Sequence, residues 1–131
     1  MRRRADELEA IHAALLRYQV IFFREQAGFA PAHHVALSAY FGRVQTHPAY
    51  PHVDGYPEIT VLENDRDRPS LIEKWHTDMT FKPCPPMASV LHGLIIPPGG
   101  KGDTEFLSMT AAFEALSPYL QDQLTQLEAE H

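Results

Sequence analysis

Proline breaks the middle of this chain at intervals too short for long regular elements. Eleven of the 131 residues are proline. Pro48, Pro51 and Pro57 crowd one stretch, Pro83, Pro85 and Pro86 a second, and Pro97 and Pro98 a third. Proline gives no N–H to a helix or ladder and locks its own φ. A bundle and a regular series of strand–helix–strand units are therefore both excluded, and short strands between turns remain. With Gly55 added, the density over 45–57 predicts a stiff loop without regular structure.

Helices fit where the prolines stop. Leu8, Ile11, Leu15 and Leu16 recur at helical spacing and predict a helix over 5–17, with Asp6, Glu7, Glu9 and Arg17 facing water. A second helix is expected over 31–41, opened by Pro31, closed by Gly42, and apolar at Val35, Leu37 and Phe41. Two more are expected over 109–116 and 118–127, with Ser117-Pro118 as cap and first turn. Strands are predicted at Val20–Phe23, Glu58–Leu62, Trp75–Phe81, Ala88–Ile96 and Thr104–Leu107. The polar run Asn64–Ser70 predicts a mobile surface loop. Phe81, Phe106, Phe113 and Leu116 are expected in the core, Trp75 beside its strand, and Met87 and Met109 as gap fillers.

The composition is that of a globular chain, with 44% hydrophobic and 21% charged residues and a net charge of −6. No basic stripe is present, so nucleic acid is not an expected partner. Arg2, Arg3 and Arg4 form a basic cluster, but Asp6, Glu7 and Glu9 follow at once, so a solvated helix start is expected rather than a transit peptide. No apolar run is long enough for a membrane span, and the expected compartment is the cytoplasm. Cys84 is the only cysteine, which excludes an internal disulfide, and it is expected to be buried or half-buried.

The chemistry centres on Trp75-His76-Thr77-Asp78. On a strand, residues i and i+2 share a face, so His76 and Asp78 would converge while Thr77 points away. An imidazole and a carboxylate supply two parts of a 2-His-1-carboxylate facial triad, which leaves positions open on iron for a cosubstrate and O2. On spacing alone the pair is equally a histidine hydrogen-bonded to a nearby carboxylate. His12, His33 and His34 fall on peripheral helices, and His92 reads as a satisfied structural histidine.

The wider pattern is more specific. WHTDMTF (75–81), PPMASVLHG (85–93) and GDTEFLSMTAAFEALSP (102–118) follow one another in order, with VIFFREQ (20–26), Phe41-Gly42, His47–Tyr50 and Pro51-His52 upstream. This series resembles the TauD/TfdA family of dioxygenases along nearly the whole chain. The resemblance implies a mixed α/β, mainly β fold: part of a double-stranded β-helix, or jelly roll, with flanking helices. It implies that His76 and Asp78 are metal ligands for Fe(II), with 2-oxoglutarate as cosubstrate and O2 as oxidant. It implies that the Thr104 hydroxyl bonds a carboxylate of 2-oxoglutarate. His47 and Tyr50 match residues that hold the sulfonate in the taurine-oxidising members, and Pro48 and Pro51 would stiffen their loop. The expected substrate is a small organic sulfonate or related acid, hydroxylated with release of succinate and CO2. The intact enzyme is expected to be a homo-oligomer.

Two departures qualify the substrate. Taurine-type members carry an Asn shortly before the Trp of the metal strand, where this chain has Leu71-Ile72-Glu73-Lys74. That admits a larger or more apolar sulfonate, a sulfate ester or another acid. Lys101 is an extra residue in the turn before Thr104. The family's distal iron-binding His and the Arg that follows it are expected downstream of residue 131, and His131 comes too early to be that ligand. On this reading residues 1–131 are a single truncated domain, lacking the C-terminal part of the jelly roll and its opening strands. Such a chain is expected to be unstable or to associate, with little turnover. The alternative is a catalytically incomplete fragment that binds metal weakly or serves as an interaction module. A zinc hydrolase built on the same His-x-Asp pair leaves Gly102-Asp103-Thr104 without a role.

Overall fold

The computed structural model describes residues 2–47, 50–70, 72, 74–100 and 102–128. Pro48, Leu71, Glu73, Lys101 and His131 lie outside the described residues, as do the side chains of the Arg2–Arg4 cluster. Two compact units are present: residues 1–22 with 93–131, and residues 23–92.

The first unit is helical. Helix α1 spans Arg2–Tyr18, longer than its apolar period predicts. Leu8, Ile11, His12 and Leu15 form its half-buried stripe, while Leu16 lies off that face and is exposed. The helix ends where Gln19 takes a positive φ of 64° and donates its N–H to Leu15 O at 2.8 Å. Helix α3 (Met109–Glu114) starts at Ser108, whose hydroxyl accepts from Ala111 N at 3.2 Å. Helix α4 (Pro118–Thr125) starts the same way at Ser117, with Leu120 N at 3.3 Å and proline in the first turn. One side chain joins the two. Gln121 Nε2 shares its two hydrogens among the carbonyls of Phe113 (3.1 Å), Glu114 (3.2 Å) and Leu116 (3.1 Å) at the end of α3, where Phe113 O also accepts from Leu116 N at 3.1 Å.

The second unit carries a hairpin and a helix. Helix α2 (Pro31–Tyr40) opens as expected on Pro31, and His33 reaches back so that its Nδ1 accepts from Ala30 N at 3.2 Å. It closes before Gly42, whose φ of +144° suits glycine. Strand β1 (His52–Val53) pairs antiparallel with β2 (Tyr56–Thr60) through the two-residue turn Asp54-Gly55. The expected absence of regular structure over 45–57 is thus corrected. The prolines left room for a hairpin, and Asp-Gly selected it. The ladder slips between the His52–Thr60 and Val53–Tyr56 pairs, across a stretch containing Pro57, which has no N–H to give. Helix α2 packs against β2. Phe29, His34 and His92 cluster, with Phe29 5.5 Å and 5.2 Å from the two imidazoles. His34 Nε2 donates to Val90 O at 2.8 Å, and His92 is half-buried against Phe29.

Other expected strands do not form. Val20–Phe23, Trp75–Phe81, Ala88–Ile96 and Thr104–Leu107 contain no strand. β-propensity is local, whereas a strand needs a partner to take its N–H and C=O groups. In the first unit Phe22 and Phe106 still meet edge to face at 6.2 Å, without a ladder between their segments. The polar loop is closed locally by Asp65, whose Oδ1 accepts from Arg68 N (2.7 Å) and Asp67 N (2.8 Å) while Oδ2 meets the Arg68 guanidinium at 3.0 Å.

No described residue is fully buried, so the expected core is also corrected. Phe81, Phe106 and Phe113 are exposed and Leu116 is half-buried, while Trp75, Met87, Met109 and Cys84 are exposed. The chain presents 12051 Å² to solvent. Even two separately folded units sharing this mass would expose only about 8,400 Å² together. The apolar residues are present, but among the described residues no second layer covers them. Among the described residues, no helix is long and apolar enough to cross a membrane.

Candidate metal centre

His76 and Asp78 come together as their i, i+2 spacing predicts, although no strand forms there. The segment turns over residues 78–81, with Met79 at a φ of 59° and Lys82 N donating to Met79 O at 3.0 Å. The left-handed conformation at Met79 costs about 1–2 kcal/mol for a residue with a Cβ. Just ahead of this turn, His76 Nε2 stands 3.2 Å from Asp78 Oδ1.

The other face of the ring fixes its chemistry. His76 Nδ1 lies 2.8 Å from Lys74 O. A carbonyl only accepts, so Nδ1 carries the hydrogen and Nε2 is left to face the carboxylate. In the neutral imidazole, Nε2 then presents a lone pair to the lone pairs of Oδ1. A proton or a cation between them satisfies both.

The spacing suits a metal ion. Two donors about 2.1 Å from a metal in adjacent octahedral positions stand about 3.0 Å apart. An Nδ1–H held by a backbone carbonyl is the outer contact that ligating histidines commonly make. Both side chains are well exposed, at 50% and 66%, and an exposed ion pair contributes little to stability. Among the described residues no three His, Cys, Asp or Glu side chains are grouped to hold a metal, so the donor set here is a pair.

His47 and Tyr50 also come together, their ring centroids 4.9 Å apart and their planes tilted by 54°. They belong to the same unit as His76 and Asp78. Thr104 belongs to the other unit, in an irregular segment two residues beyond Gly102. Gly102 has a φ of +75°, as the expected turn requires.

Sequence reasoning missed two contacts around this centre. The Lys74 carbonyl is one, because a backbone acceptor has no residue signature. The other joins Lys82 Nζ to Gln45 Oε1 at 2.7 Å, between residues 37 apart in sequence. No signal in the sequence pairs those two side chains.

Residues 1–131 match the family described as taurine catabolism dioxygenase TauD, TfdA family, and the chain belongs to it. Over 97% of its length the chain is 37% identical to an alkylsulfatase of Acinetobacter baylyi, of which it covers 39%. Over the same share it is 35% identical to an alpha-ketoglutarate-dependent sulfate ester dioxygenase of Pseudomonas putida, of which it covers 41%. It is also 30% identical to an alpha-ketoglutarate-dependent sulfonate dioxygenase of Saccharomyces cerevisiae, over 86% of this chain and 30% of that protein. The chain thus spans less than half the length of these relatives. No solved structure matches it significantly.

Proposed function

We propose that this chain carries the first metal-binding half of a cytoplasmic, homo-oligomeric Fe(II)- and 2-oxoglutarate-dependent dioxygenase with a jelly-roll fold. Its proposed substrate is a sulfate ester or a sulfonate with an apolar organic group. The observation that carries this reading is the His76–Asp78 pair, 3.2 Å apart with Nδ1 tied off on Lys74 O. Family membership and the names of the sulfur-ester and sulfonate relatives support it.

On this reading His76 Nε2 and Asp78 would hold the iron. When bound, iron activates O2 and couples oxidative decarboxylation of 2-oxoglutarate, to succinate and CO2, to hydroxylation of the substrate. The Thr104 hydroxyl donates a hydrogen bond to a carboxylate of 2-oxoglutarate. His47 and Tyr50 donate to the oxygens of the sulfate or sulfonate, as ring N–H and phenol O–H. Ile72 offers apolar surface where taurine-type members carry Asn, which favours a group larger than taurine. Hydroxylation of the carbon bearing a sulfate ester leaves a hemiacetal that collapses to an aldehyde and sulfate. With a sulfonate the carbon–sulfur bond breaks and sulfite leaves.

Anaerobic calorimetry with Fe(II) tests the proposal. A saturable site is expected, and His76→Ala is expected to weaken it on the order of a hundredfold, since loss of an outer contact alone costs 10–100-fold in affinity. Equal binding by the parent chain and His76→Ala would refute the assignment.

A second reading is supported by the two-donor character of the site: a weak metal-binding module without turnover. It predicts Fe(II) binding that depends on His76 but no succinate release when 2-oxoglutarate and hexyl sulfate are supplied in air.

A further inference from the structure

Lys82 sits at a junction between the turn that follows His76 and the segment that leads to the His47–Tyr50 ring pair, both in the second unit. Its backbone N–H closes the turn that carries Asp78, through Met79 O at 3.0 Å. Its half-buried side chain runs to the other segment and donates to Gln45 Oε1 at 2.7 Å. Gln45 lies two residues before His47, whose ring meets Tyr50. A covalently short path therefore leads from Asp78 through Lys82 and Gln45 to the rings of His47 and Tyr50, all within one unit.

We propose that Lys82 is a positioning residue that fixes the His47–Tyr50 loop relative to the His76–Asp78 turn. This rests on the reading of those residues as substrate and metal contacts. A hydrogen bond from an ionised donor is roughly twice as strong as a neutral one. Half-burial shields it from the screening that weakens exposed contacts. Gln45 is a neutral acceptor, so it leaves the ammonium charge uncancelled. In a chain of net charge −6, that cation beside the loop lowers the cost of bringing an anion there. Placement matters because an error of about 1 Å between reacting groups costs on the order of a hundredfold in rate.

The test combines hydrogen exchange of the unliganded chain with binding of Co(II), then of hexyl sulfate to the Co(II)-loaded chain. Lys82→Met is expected to speed exchange at residues 44–47, and Gln45→Leu at residues 79–82. Each variant is expected to weaken hexyl sulfate about tenfold while Co(II) affinity stays within about twofold, and the double variant is expected to lose no more than either single one. Lys82→Arg restores the parent behaviour, which a general loosening of the fold would not allow. Exchange effects confined to the substituted segment, or losses that add in the double variant, would overturn the tie. If the parent chain takes up no Co(II), the functional reading fails, and the cross-segment exchange still decides whether Lys82 holds the loop.

Discussion

An imidazole whose Nδ1–H is committed to a carbonyl has only Nε2 left to offer. At His76 that remaining nitrogen points at a carboxylate, and both groups are exposed. The pair is thus more intelligible as a donor set than as a stabilising contact. Asp78→Asn keeps the shape of the side chain but removes its charge, and is expected to weaken Fe(II) at least tenfold in the same anaerobic titration. An undiminished affinity would show that the carboxylate is not a ligand. Asp65 is a contrasting carboxylate. The Arg68 N–H, then the Arg68 guanidinium, hold its pKa below the ordinary value. A depressed pKa means that the ionised carboxylate favours the closed turn. That contribution is complete above the unfolded pKa and is lost as pH falls through the folded one. An NMR pH titration is expected to place the Asp65 midpoint below that of a short peptide of the same sequence. Arg68→Ala is expected to move it upward.

At the scale of elements, helices were legible, and of the five expected strands only Glu58–Leu62 meets an observed one, β2 at Tyr56–Thr60. Helices α1, α2, α3 and α4 all lie where periodicity and caps place them, because a helix satisfies its bonds locally. Ser108 and Ser117 act through contacts only three residues away. Strand propensity at Val20–Phe23 or Ala88–Ile96 says nothing about a partner, and no ladder forms there. The β1–β2 hairpin was hidden by its prolines, although Asp54-Gly55 was the signal that could have revealed it. His76 and Asp78 were legible as neighbours two residues apart, although no ladder forms there, and the Lys74 carbonyl behind them was not. The Gln121 staple was equally invisible, since an amide reaching three carbonyls leaves no pattern. Gln121→Leu is expected to cost about 1–2 kcal/mol. It should speed hydrogen exchange across α3 and its junction with α4. Unchanged protection there would mean that the three contacts are not maintained in solution.

At the scale of the whole molecule, the described residues include many apolar side chains and no covered core. Leu94 and Ile95 are 82% and 90% exposed, in a run expected to be a buried strand. Contiguous apolar surface of this kind drives association or marks a docking face. The purified chain is therefore expected to bind a hydrophobic dye such as ANS and to grow in apparent mass with concentration in light scattering. Leu94→Lys with Ile95→Lys should reduce both. A monomer that ignores the dye at all concentrations would show that these side chains are covered in solution. The same exposure explains why fold class was less accessible than the metal motif. The motif is a contact between residues two apart, while a jelly roll is a property of many partnered strands.

Nitrogen-15 NMR of His76, with and without Zn(II) as a diamagnetic probe, tests the central claim most directly. The account predicts a hydrogen on Nδ1 in both states and a Zn(II)-induced shift at Nε2, absent in Asp78→Ala. A hydrogen on Nε2 in the neutral ring, or metal bound through Nδ1, would contradict it.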